Sequence, residues 1–225
     1  MQANRKIITV LIVVRHGETE WNLSGRYQGQ LESPLAPRGV SQAKALAKGL
    51  SGKGINIIYS SDLGRAVQTS EIIAHELRQD FTLDQGLRER NLGIIQGKTR
   101  GEFIEMHPEE ANSFKSDNPD YAPPDGESVK IMYLRNISCL ESIVSKNLGR
   151  KILVVTHGGV LLNLLYKILN IPPARFTPVS LFNASINTFS ITDGKWKLES
   201  WGELQHLKGL ESADGVKLLE CDDVI

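Results

Sequence analysis

An arginine, a histidine and a glycine stand together at Arg15-His16-Gly17, and a second histidine precedes two glycines at His157-Gly158-Gly159. Between them lies Arg65, in the run S-S-D-L-G-R-A-V-Q-T from Ser60 to Thr69. Imidazole is a nucleophile or proton carrier near neutral pH, and guanidinium is a fixed cation whose fork matches an oxyanion. Gly158, at the start of a helical pattern, adds a backbone N–H for the same charge. Alone, Arg15-His16-Gly17 also suits a strand that merely ends in polar residues. Brought together, Arg15, His16, Arg65 and His157 make an anion site with a nucleophile in it.

The elements around these residues can bring them together. Ile7 to Val14 is an apolar, β-branched run that reads as a strand buried on both faces, with Arg15-His16 at its carboxyl end. Lys151 to Val155 repeats the pattern ahead of His157, and Ile57 to Tyr59 does so ahead of a Ser/Asp helix cap and Arg65. Open α/β sheets bind ligands at the carboxyl ends of their strands, so side-by-side strands would converge these side chains on one edge. Helices are expected over Arg38 to Gly49, Leu63 to Leu77, Glu127 to Lys146 and Val160 to Leu169. Ser185 to Thr192 and Lys195 to Trp201 alternate around Asp193-Gly194, a hairpin pattern. Phe81 to Leu83 suits a short edge strand. The expected fold is α/β: a three-layer sandwich whose mainly parallel sheet has one antiparallel edge strand and helices on both faces.

A chain of 225 residues, 40% hydrophobic and 23% charged, fits a single soluble domain, residues 1–225. Residues 98–125 form an irregular insert, with short helices over Thr99 to Met106 and Glu109 to Phe114, positioned as a lid or specificity wall. An acidic tail spans 209–225. Net charge is zero, so no global field recruits nucleic acid or an anionic membrane, and attraction for an anion must be local. The two cysteines, Cys139 and Cys221, are far apart and suit a reducing compartment. Basic residues precede the first apolar run, but no small-residue cleavage site follows and Arg15-His16 cuts the run short of a spanning length. The expected location is cytoplasmic. Zinc-hydrolase and P-loop patterns are absent from the sequence.

R-H-G-E-T-E-W-N, from Arg15 to Asn22, resembles the signature of the histidine phosphatase superfamily, which includes cofactor-dependent phosphoglycerate mutase. The likeness runs from about Lys6 to Leu207. It takes in S-P-L-A-P-R-G-V-S-Q-A (Ser33 to Ala43), the Ser60 to Thr69 run, L-R-E-R-N-L-G-I-I-Q-G (Leu87 to Gly97), D-G-E-S (Asp125 to Ser128) and V-T-H-G-G (Val155 to Gly159). The resemblance implies a phosphoglycerate mutase-like fold and a phosphohistidine intermediate on His16. It also implies phosphate contacts from Asn22, and Gln28 and Gly29 on the substrate side. Asn22 as a local cap and Gln28 as a solvated loop residue stay open. Glu89 matches the family's acid/base position; by its neighbours alone, Arg88 and Arg90, it suits a surface ion pair. Glu127 is the weaker acid candidate and suits a hydrogen-bonding role at a helix start. The family usually has a threonine where Ala36 stands, so one helix cap is expected to be missing.

The chemistry that follows is phosphoryl transfer. His16 must be neutral to attack, and Arg15 and Arg65 lower its proton affinity while cradling the phosphate. Arginine charge replaces what a cation would supply, so the expectation is no metal and no cofactor. Mutases of this family carry adjacent arginines and a proline run in the insert; here Lys98 and Arg100 are separated and only Pro123-Pro124 occurs. The leading reading is therefore a phosphoric monoester hydrolase acting on a small phosphorylated metabolite. A phosphoglycerate mutase is the alternative, and a non-catalytic phosphate-binding protein the remote one. Oligomeric state is left open, a homodimer included.

Overall fold

The computed structural model describes residues 6–116, 118–173 and 179–210. Strand β1, Ile8–Arg15, has apolar residues on both of its faces because both are covered. Leu11 and Val13 point into a core cluster with Leu140, Val144, Val160 and Leu164, whereas Ile12 and Val14 point into another with Leu46, Leu50, Ala66 and Ile73. Strand β4, Lys151–Thr156, splits the same way, Ile152 and Val154 to the first cluster and Leu153 and Val155 to the second. Each such side chain removed from water contributes about 1.5–3 kcal/mol. The alternation defines three layers. Helices α6, Val129–Lys146, and α7, Gly158–Leu169, cover one face; α2, Pro37–Leu50, and α3, Gly64–Leu77, cover the other.

Six strands lie in the order β3-β2-β4-β1-β5-β6, with β2 Ile57–Ser60, β3 Phe81–Leu83, β5 Ile186–Thr192 and β6 Lys195–Glu203. The two histidine-bearing strands are neighbours, parallel and in register, Arg15 opposite Thr156, so His16 and His157 leave the sheet at one level. Strand β2 runs parallel to β4 on its other side and delivers the chain to α3 at the same edge. The antiparallel edge is a hairpin: β5 opposes β1, and β6 outside it runs with the others again. Its turn residues Asp193 and Gly194 have φ of 52° and 74°, the left-handed pair that matches strand twist.

Two local expectations are corrected by neighbouring groups. Helix α3 does not start on a Ser/Asp cap; its N-cap is Leu63, with no side-chain bond. Asp62 instead binds Arg88 at 2.5 and 2.7 Å, and the Glu32 carboxylate takes the Gly64 N–H at 3.0 and 3.2 Å. A carboxylate from a distant loop thus does what the local residues were expected to do. In the insert, α4, Arg100–Met106, and α5, Pro108–Phe114, close over a small core of Ile95, Phe103 and Ala111. Phe103, inside the stretch expected to form a lid or specificity wall, is 1% exposed and holds the insert together. The Ala36 start of α2 does lack a side-chain cap. Among the described residues no helix is long and apolar enough to cross a membrane. The acidic tail lies, from residue 211 on, outside the described residues.

Candidate active site

His16 follows β1 directly, its N–H on the Thr156 carbonyl at 2.9 Å, and is 3% exposed. Ring Nδ1 lies 2.7 Å from the Gly17 carbonyl, which can only accept, so Nδ1 carries the proton. The lone pair is left on Nε2, which takes the Arg65 Nε–H at 3.2 Å. Burial, then the charges of Arg65 and Arg15, hold the His16 pKa well below its ordinary value, against a smaller upward pull from Gly17. The ring is neutral at pH 7, the form that attacks.

The loop after His16 is held at very close range. A Cβ on Gly17 would come 2.5 Å from the Gly39 carbonyl oxygen, so no other residue fits there without movement. Gly17 N–H donates to Thr69 Oγ1 at 3.1 Å, and that hydroxyl donates to the Arg65 carbonyl at 2.8 Å, tying the loop after His16 to α3. Glu18, 1% exposed, receives both arms of Arg38 at 2.6 Å.

Arg65 sits in the first turn of α3 and is 1% exposed. Nη2 donates to the Gly29 carbonyl at 2.7 Å and Nη1 to that of Leu31 at 3.1 Å, so the guanidinium is fixed by neutral acceptors. Burial pulls its pKa down to about 10, with Glu89 and Glu32 pulling upward, and it remains a cation at pH 7. Arg15 donates Nη1–H to the Leu181 carbonyl.

His157 is the N-cap residue of α7 and wholly buried, its ring centroid 5.2 Å from that of His16. Nε2 lies 2.8 Å from Ser61 Oγ, while buried Nδ1 has no hydrogen-bond partner among the described residues. A Ser61 hydroxyl donating to Nε2 leaves the proton of neutral His157 on Nδ1, ready to donate to an anion. Burial first, then Arg65, His16 and Arg15, hold its pKa well below the usual range.

Glu89 is brought to the same place and is not a surface ion pair. Its Oε2 accepts the Gly159 N–H at 3.0 Å and its Oε1 the Arg90 N–H at 2.9 Å. Arg88 is taken by Asp62, and Arg90 Nε by the Glu127 carbonyl at 2.8 Å. Asn22 is a local cap: in α1, Glu20–Leu23, it completes a capping box with Thr19. It still touches the site, because Asn183 Nδ2 donates to the His16 carbonyl at 3.1 Å and to Asn22 Oδ1 at 3.4 Å. Gln28 Oε1 is buried, with no hydrogen-bond partner among the described residues, so the solvated-loop alternative does not hold. Gly29, at φ 54°, presents its carbonyl to Arg65, and a Cβ on Gly158 would lie 3.7 Å from Arg15 Nε. Glu127 receives the Arg135 guanidinium.

Sequence reasoning missed Ser61, Asn183, Glu32 and Arg135. Ser61 stood inside a quoted motif, where position alone could have flagged it. The other three act across the fold and carry no local signal.

Three known proteins bear on this arrangement. The chain is 40% identical over 202 residues to phosphoglycerate mutase-like protein 4 of Arabidopsis thaliana, covering 88% of this chain and 86% of that one. It is 38% identical over 206 residues to a metal-independent phosphoserine phosphatase of the same plant, covering 90% and 85%. The solved structure of Bacillus stearothermophilus YhfR superposes with a TM-score of 0.83 at 32% identity, covering 88% of this chain and 99% of that chain. Residues 11–204 match the family model for the histidine phosphatase superfamily, branch 1, and with its paired strand-end histidines the chain belongs to that superfamily.

Proposed function

We propose that the protein is a phosphatase that hydrolyses a small phosphomonoester through a phosphohistidine on His16, without a metal ion. The observation that carries the reading is the His16 ring: neutral, with its Nε2 lone pair 3.2 Å from Arg65 Nε and a second buried histidine beside it. In the first step Nε2 bonds to phosphorus and the ester P–O bond breaks, while a protonated Glu89 carboxyl gives its proton to the leaving alkoxide. In the second, Glu89 takes a proton from water, the water oxygen bonds to phosphorus and the N–P bond breaks. Arg15, Arg65 and the His157 Nδ1–H hold the phosphoryl oxygens in both. Asn22, through its Nδ2, and Gly158, through its N–H, add donors, and Gln28 and Gly29 face the ester side.

Water as acceptor is favoured by the state of the cations in and around the insert. Arg26 is paired with Glu102 at 2.6 Å, Lys98 donates to the Ile94 carbonyl, and Arg90 is spread over the Glu127 and Tyr121 carbonyls. A phosphoglycerate carboxylate would have to displace these bonds. The name of the phosphoserine phosphatase relative supports both the hydrolase reading and metal independence, and puts phosphoserine first among esters to test. The likeness to a mutase-like protein keeps transfer between hydroxyls as the second reading. One sheet carrying both core clusters supports a single domain, with 98–125 as its substrate wall, and Cys139, in no disulfide among the described residues, fits a cytoplasmic location.

The test is rapid quench with phosphate-labelled phosphoserine and p-nitrophenyl phosphate in chelator, beside a phosphoglycerate mutase assay. An acid-labile, base-stable phosphoprotein that disappears in His16→Ala is expected, with inorganic phosphate as product. Turnover without a phosphoprotein would overturn the mechanism, and isomerised phosphoglycerate in place of free phosphate would establish the mutase.

A further inference from the structure

The segment from Gln85 to Glu89 is a single 3-10 turn, Gln85–Leu87, and the two residues after it, and each of its five carbonyls accepts a side-chain donor. Arg135, on α6, does most of this. Its Nη1 donates to the carbonyls of Gln85 at 3.4 Å, Gly86 at 3.2 Å and Arg88 at 3.0 Å, and its Nη2 to that of Glu89 at 3.2 Å. The next residue, Asn136, adds Nδ2 on Gly86 at 2.7 Å and is itself held by Asn163 of α7 at 2.8 Å. Thr156, at the end of β4, takes the Leu87 carbonyl at 2.8 Å. The Glu127 carboxylate faces Arg135 and accepts the Asn91 N–H at 2.9 Å, so the same cation is linked to the chain just beyond Glu89.

A planar guanidinium with five donors can gather carbonyls from successive residues, which a lysine ammonium cannot do in the same geometry. The carboxylate at the end of the gathered segment is the one that reaches the Gly159 N–H beside His157. We propose that Arg135 is the positioning residue of Glu89, clamping Gln85–Glu89 so that the carboxyl stands over the first turn of α7 where the ester oxygen leaves. This rests on the reading of Glu89 as the acid/base. Arg135 touches no reacting atom; it acts through Glu89 alone.

A residue that acts through the acid should matter where a proton is needed and nowhere else. Arg135→Met is expected to lower kcat/KM on the alkyl esters phosphoserine and β-glycerophosphate about 10²-fold, the usual scale for a misplacement of about 1 Å. On p-nitrophenyl phosphate, whose leaving group needs little proton, the loss should stay within about fivefold of the parent, far below the scale of general acid catalysis. In a Glu89→Gln background, adding Arg135→Met should cost little more on the alkyl esters, because the group it positions is already gone. Arg135→Lys carries the same comparisons if the methionine variant does not fold, with an intermediate loss expected. Equal losses on alkyl and aryl esters, or fully additive losses in the Glu89→Gln background, would make Arg135 a residue of the fold and overturn the proposal. So would failure of both variants to fold. If Glu89→Gln itself showed no alkyl preference, the acid assignment would fall first and the clamp with it.

Discussion

Helix α4, in the insert, begins on a Thr99 side chain that accepts the Glu102 N–H, while Glu102 reaches back to the Thr99 N–H. Helix α7, at the sheet edge, begins on His157, with no side-chain cap, and one of its first N–H groups is taken by Glu89 from another part of the chain. Charges differ between the two regions in the same way. The insert's Glu102 has Arg26, and its Asp120 has Lys130. Arg65, far more buried, has no ion pair among the described residues and is fixed by the carbonyls of Gly29 and Leu31. The wall pairs its charges with one another, and the sheet edge holds a buried positive charge on neutral carbonyls, as the proposed anion site requires. Uncompensated burial costs stability and is tolerated where an anion is to be bound.

Breaking the sheet-edge side of this contrast should have the largest effect. His16→Ala removes the only proposed nucleophile and should lower turnover by at least about 10⁴-fold, a loss on the scale of removing a catalytic nucleophile elsewhere. Thermal unfolding should show a folded protein, and retention of activity would remove His16 from the chemistry. Arg65→Lys keeps charge but loses the fork to Gly29, Leu31 and His16, and should cost about 10²–10³-fold in kcat, as for one missing oxyanion donor. A rise in KM with kcat unchanged would mean that charge alone suffices for the chemical step.

The buried histidines sharpen the contrast through pH. Both have folded-state pKa values well below the ordinary 6.5, so they are neutral when folded and take up protons on unfolding below that pH. Their effect is absent above about pH 6.5, and stability falls as pH drops from there toward the folded pKa values. The slope is at most about 1.4 kcal/mol per pH unit for each histidine. Urea midpoints measured between about pH 7.5 and 5 should fall in the parent and fall less in His157→Gln. Identical slopes would show that the His157 imidazole is not buried neutral.

Changes in the wall should be smaller. Tyr121, whose carbonyl holds Arg90 and whose hydroxyl donates to Glu110, should when replaced by alanine reorder a panel of esters, yet leave p-nitrophenyl phosphate within about tenfold. A uniform loss would make the wall a catalytic lid. The smallest effect is a repair: Ala36→Ser supplies the side chain that α2 lacks and should add about 0.5–1 kcal/mol to unfolding stability. Ala36 is wholly buried, so a drop in stability instead would show that the hydroxyl does not fit.

Much of this was legible in the chain because it rests on short-range regularity. The apolar runs of β1 and β4 end in the same dipeptide, Asp193-Gly194 sits between alternating strands, and Pro108 opens α5. Strand period, turn chemistry and helix starts are properties of a few consecutive residues, so the fold class could be read before any coordinates, and the convergence of His16, Arg65 and His157 followed on condition that their strands lie side by side. What the fold alone decided are partnerships between distant segments. Glu32 caps α3 in place of Ser61 and Asp62, Ser61 bonds Nε2 of His157, and Arg135 gathers the carbonyls ahead of Glu89. Phe103 turned inward to a core that only the folded insert creates. These residues are polar or aromatic side chains of ordinary type, and a side chain's partner across the fold is chosen by the packing of layers, which local sequence does not encode.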